Sequence, residues 1–277
     1  MLLDFVYGHS TWFIGLVMAL GAAGYGCIGV LIVERLVPSE LRRRHNEMIG
    51  YILAVAGVNY AVLLGFVAVS VWQSFDNAQD VVAREANLVG DLYRDAAGLA
   101  EPQATEIHHA LHHYIQKVVN EEWPVMATGT SSRAGWGTLV HVSTLLKDYQ
   151  PKGEMDKIFA AELLHQLNAL YDARRSRAMA AESGVQPIVW FILLLCAAMI
   201  VGFTCLFAMD SRGIHMLLTA TFAVGTALVL LLVVATDWPF RGEVRISADS
   251  FRDMATNMGA IDAPAPAPIP APTPTPP

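Results

Sequence analysis

In "LLGFVAVSVWQSFDNAQDVVAREANLV", residues 63–89, an uncharged apolar run passes into a charged segment without losing its helical period. Phe75, Ala78, Val82, Ala86, Val89 and Tyr93 recur at the spacing of one helix face. The apolar run and the amphipathic segment therefore read as a single rod of about fifty residues, half of it in an apolar medium and half packed in water.

The apolar part of this rod belongs to residues 49–72, one of four uncharged apolar stretches; the others are 12–33, 187–209 and 214–236. Each exceeds the roughly 20 residues that a helix rising ~1.5 Å per residue needs to cross a ~30 Å hydrocarbon core. With 54% hydrophobic and 16% charged residues, the chain is too apolar for an ordinary water-soluble protein. No Lys or Arg precedes residue 12, and the first stretch is longer than a signal-peptide core, so it is expected to remain in the mature protein. Trp12, Trp72, Trp190 and Trp238 lie near the stretch ends, at the depth amphipathic rings prefer. All three cysteines, Cys27, Cys196 and Cys205, fall inside the apolar stretches and supply no disulfide framework.

The expected fold class is an all-α, polytopic membrane protein with four transmembrane helices in two hairpins and an intervening helical bundle. Residues 1–72 form the N-terminal hairpin (spans 12–33 and 49–72), 73–186 a helical soluble domain, and 187–236 the C-terminal hairpin (spans 187–209 and 214–236). Residues 237–277 form a C-terminal segment whose Pro/Ala-rich tail, from about residue 262, is extended and disordered. The first hairpin turns at Pro38, with Ser39 or Asn46 available to cap the next helix and the run Arg42, Arg43, Arg44 in the loop. The second turns at "DSRGIH", with Gly213 as the breaker. In the bundle, one helix runs from near Pro102 to Glu122 and stops at Trp123-Pro124. Two more run from about Trp136 to Lys147 and from about Lys152 to Ala181.

Four of the nine histidines crowd into "EIHHALHHYIQ", residues 106–116. A helical wheel puts Ile107, Leu111, Tyr114, Ile115 and Val118 on the buried face, His108 and His112 at its edge, and His109 and His113 facing away. Glu106/His109 and Glu162/His165 are E-x-x-H pairs, the spacing of carboxylate-bridged di-metal bundles, for which Glu85 and Glu121 or Glu122 would be the further carboxylates. Because Glu106 and His109 fall on the polar side, a solvated helix face is the favoured reading, and a di-metal helical-bundle enzyme is the alternative. No nucleophile elbow, Walker loop, dinucleotide fingerprint or cysteine pair is present. Neither catalysis nor a cofactor is expected. The net charge of −7 excludes a basic nucleic-acid footprint.

Within the spans, the second stretch carries the polar residues Asn59 and Tyr60 near its middle, along with Gly50, Gly57 and Gly65. Polar groups in a bilayer must find a partner or water. Two readings stand: Asn59 and the glycines pack helices in a non-conducting scaffold that binds a partner, or this helix lines a pore with an apolar constriction that gates by dewetting.

The run at 63–89 resembles the second-helix signature of bestrophins, with Gly65-Phe66 as its Gly-Phe pair. The order of two spans, helical domain and two spans is the bestrophin order. The chain is similar, more closely, to bacterial bestrophin-like membrane proteins through "HNEMIGYILAVAGVNYAVLLGF" (45–66), "EEWP" (121–124), "LYDARRSR" (170–177) and "DWPFRGEVRIS" (237–247). The resemblance implies a homo-oligomeric channel for small ions, a pentamer conducting anions, in the bacterial inner membrane. The second span would line a hydrophobic neck at Val58, Val62 and Phe66. Two of these are Val where bestrophins carry larger side chains, and Val67 and Ser74 stand where bestrophins place basic residues. Partners implied are the lipid bilayer, further copies of the chain and small inorganic ions.

Orientation has two opposing signals. Arg35, Arg42, Arg43 and Arg44 place the first loop in the cytoplasm by the positive-inside rule. The resemblance places the helical domain there, and Arg84, Arg174, Arg175 and Arg177 partly balance the count. A cytoplasmic helical domain is the expectation.

Overall fold

A computed structural model describes residues 2–261; the expected disordered tail lies outside them. Among the described residues there are helices and no strands. In chain order they are α1 (Leu2–Gly8), α2 (Thr11–Leu36), α3 (Ser39–Ala96), α4 (Gln103–Lys117), α5 (Trp123–Met126), α6 (Trp136–Asp148), α7 (Glu154–Glu182), α8 (Pro187–Cys205), α9 (Arg212–Asp237) and α10 (Asp249–Ile261). The protein is an all-α, polytopic membrane protein: α2, the first part of α3, α8 and α9 are long and apolar enough to cross a bilayer.

The rod is real and longer than its apolar period suggests. α3 runs 58 residues without a break, about 87 Å at ~1.5 Å per residue. It starts directly after Pro38, so Arg42, Arg43 and Arg44 ride on its first turns rather than in a loop. Neither Ser39 nor Asn46 caps it. Asn46 instead bonds both the carbonyl and the amide of Ala208, each at 2.9 Å, and so pins the α8–α9 connection.

That connection spans residues 206–211, because α8 stops at Cys205. Gly213 is not the breaker. It lies in the first turn of α9, whose N-cap is Ser211, with Oγ accepting from Ile214 N.

The hairpins interleave in space. α2 packs mainly along α9 and against α8, while α3 packs on α8 and α9 from the other side. The core between α3 and the second hairpin holds Tyr60, Leu64, Val71, Leu193, Ile200, Leu230 and Val233. Beyond Trp72 the rod becomes the spine of the bundle, with α7 along it, α4 packed on α6, and α10 folded back onto it. Ala78, Val82, Ala86, Val89 and Tyr93 are all buried there, the stripe that the helical period selects.

Trp123-Pro124 does not end α4. Proline lacks an N–H and its ring clashes with the carbonyl four residues earlier, and here the helix answers by widening into a π-turn at Val118–Glu122 before α5. Such turns shift the register of the residues beyond them; this one ends at the buried Glu122. The C-terminal segment closes the bundle. Trp123 Nε1 donates to the Ile246 carbonyl at 3.2 Å, and the Trp123 ring meets Phe240 and Phe251 edge-on.

Candidate functional site

Two regions of α3 carry the chemistry. In the membrane half, Val58, Val62 and Phe66 are 63%, 53% and 72% exposed. They belong to one uncovered stripe that also includes Tyr51, Val55, Val69 and Trp72. The residues between them, Tyr60, Leu64 and Val71, pack on α8 and α9. The sequence-predicted neck residues thus share a face that nothing else among the described residues covers.

Asn59 is exposed at the edge of this face. Tyr60 turns the other way, buried, with no partner for its hydroxyl among the described residues. Asn59 and Tyr60 border an apolar cavity of about 240 Å³ against Cys196, Met199 and Phe203. Gly57 and Gly65 have open space where a Cβ would be, so neither serves close packing inside the chain.

In the bundle half lies a buried ionic cluster. Glu85, Glu122, Arg174 and Arg177 are all buried, Glu85 completely. Arg177 grips Glu85 with two bonds, Nε to Oε2 at 2.7 Å and Nη2 to Oε1 at 3.0 Å, and reaches Glu122 Oε2 from Nη2 at 2.7 Å. Arg174 Nη2 donates to Glu122 Oε1 at 2.6 Å and to the Ser132 carbonyl at 3.0 Å. Tyr114 donates to Glu85 at 2.5 Å, and Gly135 N to Glu122 at 2.8 Å. The Arg177 guanidinium also lies over the rings of Trp123 and Phe251.

Two carboxylates facing two guanidiniums leave no net charge, and the added donors satisfy the remaining carboxylate lone pairs, which lowers the cost of holding charges in an interior; Arg174 Nε has no partner among the described residues. Burial alone would raise the Glu122 carboxyl, but Arg177 and Arg174 hold it below its ordinary value. Burial, with Glu85 beside it, pushes the Tyr114 phenol well up. The cluster therefore locks α3, α4, the π-turn and α7 together. It offers no free base, acid or metal ligand.

This cluster bears on the metal alternative weighed from the sequence. Glu85 and Glu122, considered as extra metal carboxylates, are occupied by arginines, and Glu121 faces outward to Lys117. Glu106, His109, Glu162 and His165 do not converge: Glu106 and Glu162 face outward and the two histidines are at most half-buried on separate helices. Among the described residues no three His, Cys, Asp or Glu side chains gather where one ion could be held, and the two E-x-x-H pairs are not brought together. The wheel placed the inner histidines correctly. His108 stacks on Tyr93 at 3.9 Å and meets its carbonyl at 2.8 Å, and His112 touches Tyr93 edge-on, while His109 and His113 lie on the outer side.

The arginines that spoke to orientation are largely engaged within the protein. Arg42 is buried and donates to the Phe207 carbonyl, and Arg43 pairs with Asp210. Arg174 and Arg177 belong to the cluster. What sequence reasoning missed was the pairing of the two motifs "EEWP" and "LYDARRSR". Its visible signal was two arginines at i and i+3, on one face of a helix, opposite isolated glutamates.

A family model described as Bestrophin-like domain matches residues 20–251. No curated protein matches the chain by sequence. Among solved structures, a bacterial bestrophin homologue from Klebsiella pneumoniae is similar at 12% identity and a TM-score of 0.66, covering 87% of this chain and 97% of that one. A substituted form of the Klebsiella pneumoniae homologue gives 13% identity and a TM-score of 0.67, covering 88% and 98%. At such identity these likenesses speak to the fold alone. The family match spans most of the chain and takes in both halves of α3, the ionic cluster and the returning C-terminal segment: the chain belongs to the bestrophin-like family.

Proposed function

We propose that the protein is an oligomeric channel for small inorganic ions in a bacterial inner membrane, with the uncovered face of α3 lining its pore. One observation carries the reading: Val58, Val62 and Phe66 lie uncovered on one stripe of a helix whose opposite side is packed, with the Asn59 amide exposed beside them. An amide at bilayer depth is costly in lipid, so this flank needs water or a neighbouring subunit. A closed ring of copies supplies both. The apolar stripe then faces the axis, where a narrow hydrophobic constriction conducts or dewets. The bestrophin-like family and the bestrophin fold support a ring of five, with the bundle in the cytoplasm and no catalytic step.

Light scattering on the detergent-solubilised protein is the first test, with an expected mass of five 30.1 kDa chains. Liposome flux that changes on Val62→Ala or Phe66→Ala then supports the neck. A monomer or dimer without flux supports the rival reading, a non-conducting scaffold whose bundle binds a partner. Reporter fusions in the α2–α3 turn and in the α5–α6 loop decide the orientation.

A further inference from the structure

Asp237, the last residue of α9, is only 6% exposed. Glu85 and Glu122 each meet an arginine, but no cationic side chain pairs with Asp237 among the described residues. Arg241, one turn further on, lies over the rings of Tyr7 and Trp238. The Asp237 oxygens accept from Val185 N at 2.6 Å and from Trp190 Nε1 at 3.2 Å. Those donors orient the carboxylate without bringing a charge, and each oxygen keeps lone-pair capacity. Gly184 permits the arrangement, since a Cβ there would lie 2.7 Å from the Trp238 ring.

Beside the carboxylate is a cavity of about 420 Å³. Ser70 and Ser74 line it from α3, Ser183 and Gln186 from the α7–α8 connection. A buried carboxylate without a counter-charge is strongly disfavoured and takes up either a proton or a cation. The cavity offers hydroxyl and amide oxygens, the ligands of hard cations. One carboxylate among neutral oxygens balances one positive charge, which favours a monovalent ion over a divalent one.

We infer that Asp237, with the hydroxyls of Ser70, Ser74 and Ser183, forms a binding site for a monovalent alkali cation, Na⁺ or K⁺, at the junction of α3 with the α7–α8 connection. Ser70 and Ser74 are exposed and follow Phe66 along α3 at four-residue steps, so the site adjoins the end of the Val58–Val62–Phe66 stripe; ion binding there is read by emission and Tm, separately from whether that stripe conducts. A bound ion ties α3 to the end of α9 where the membrane half meets the bundle.

Trp190 is a built-in reporter. Purified full-length protein in detergent is moved from N-methyl-D-glucamine chloride to NaCl or KCl at constant ionic strength. The expected result is a saturable change in tryptophan emission together with a rise in Tm. Asp237→Asn abolishes both, and Trp190→Phe removes the emission change while leaving the rise in Tm. Ser74→Ala raises the half-saturating concentration about tenfold, the scale of one lost contact to a charged group.

No response to either ion overturns the inference, as does an unchanged response in Asp237→Asn. If Asp237→Asn does not fold, a Ser70→Ala/Ser74→Ala variant decides, and an unshifted half-saturation overturns the site. A Tm that follows pH but ignores Na⁺ and K⁺ identifies a proton as the counter-charge and also overturns it. A response confined to Mg²⁺ or Ca²⁺ overturns the monovalent assignment.

Discussion

The two halves of α3 belong to one helix and obey opposite burial rules. Below Trp72, Ala78, Val82, Ala86 and Val89 are sealed by α7, α4 and α10, and the one fully buried charge of this half, Glu85, meets Arg177. Above it, Tyr60, Leu64 and Val71 are sealed by α8 and α9, while Val58, Val62 and Phe66 stay uncovered. The bundle half completes its core within a single chain. The membrane half leaves a whole apolar face to be met by lipid or by other copies. Both halves are one unbroken helix.

Unsealing the bundle half would damage this contrast most. Arg177→Ala leaves Glu85 without its ion pair and Glu122 with only Arg174, and should cost about 3–5 kcal/mol. It would be read as a large fall in the thermal unfolding midpoint in detergent. A near-unchanged midpoint would mean that the cluster does not hold the rod to α7.

A matched pair of truncations compares the halves directly. Val82→Ala removes fully buried methyl groups and should cost about 2 kcal/mol. Val62→Ala, on the uncovered stripe, should stay within about 0.5 kcal/mol in dissociated protein and change flux instead. Equal losses of stability at the two positions would erase the distinction between the halves.

Acid supplies a third probe. The folded-state value of Glu122 lies below its ordinary one, so the unfolded chain binds its proton first as pH falls. The stabilisation is complete above the unfolded-state value, about 4.3, and is lost as pH drops through the folded-state value. A melting series should therefore show stability falling below that pH in the wild type and a flatter profile in Glu122→Gln. The smallest effect is expected at the polar face of α4, where His109→Ala should change stability by less than about 0.5 kcal/mol and leave the protein's metal content unaltered.

Much of this was legible in the chain. Four apolar stretches beyond membrane length, and a helical period running unbroken through Tyr93, prescribe four spans and a rod because the bilayer leaves a buried backbone few other options. The face assignment in the histidine helix was legible for the same reason: a wheel needs only local geometry. Helix ends were less so. Pro124 read as a stop and was absorbed by a π-turn, and Gly213 read as a break but sits inside α9, since tertiary contacts decide whether a weak signal is obeyed. α10 gave no expectation at all, although Phe251 and Met258 are completely buried. Its short apolar set acquires meaning only once α3 and α4 present a surface to it.

Class, span number and the rod are properties of the sequence alone, because they follow from hydrophobic length and period along the chain. The pairing of Glu85 and Glu122 with arginines rather than a metal is not such a property. Nor is the burial of Asp237 without a cationic side chain, nor the exposure of Val58, Val62 and Phe66. Those facts depend on which residues distant in sequence meet in space, and a charge or a methyl group takes its energetic meaning from the neighbours it finally has.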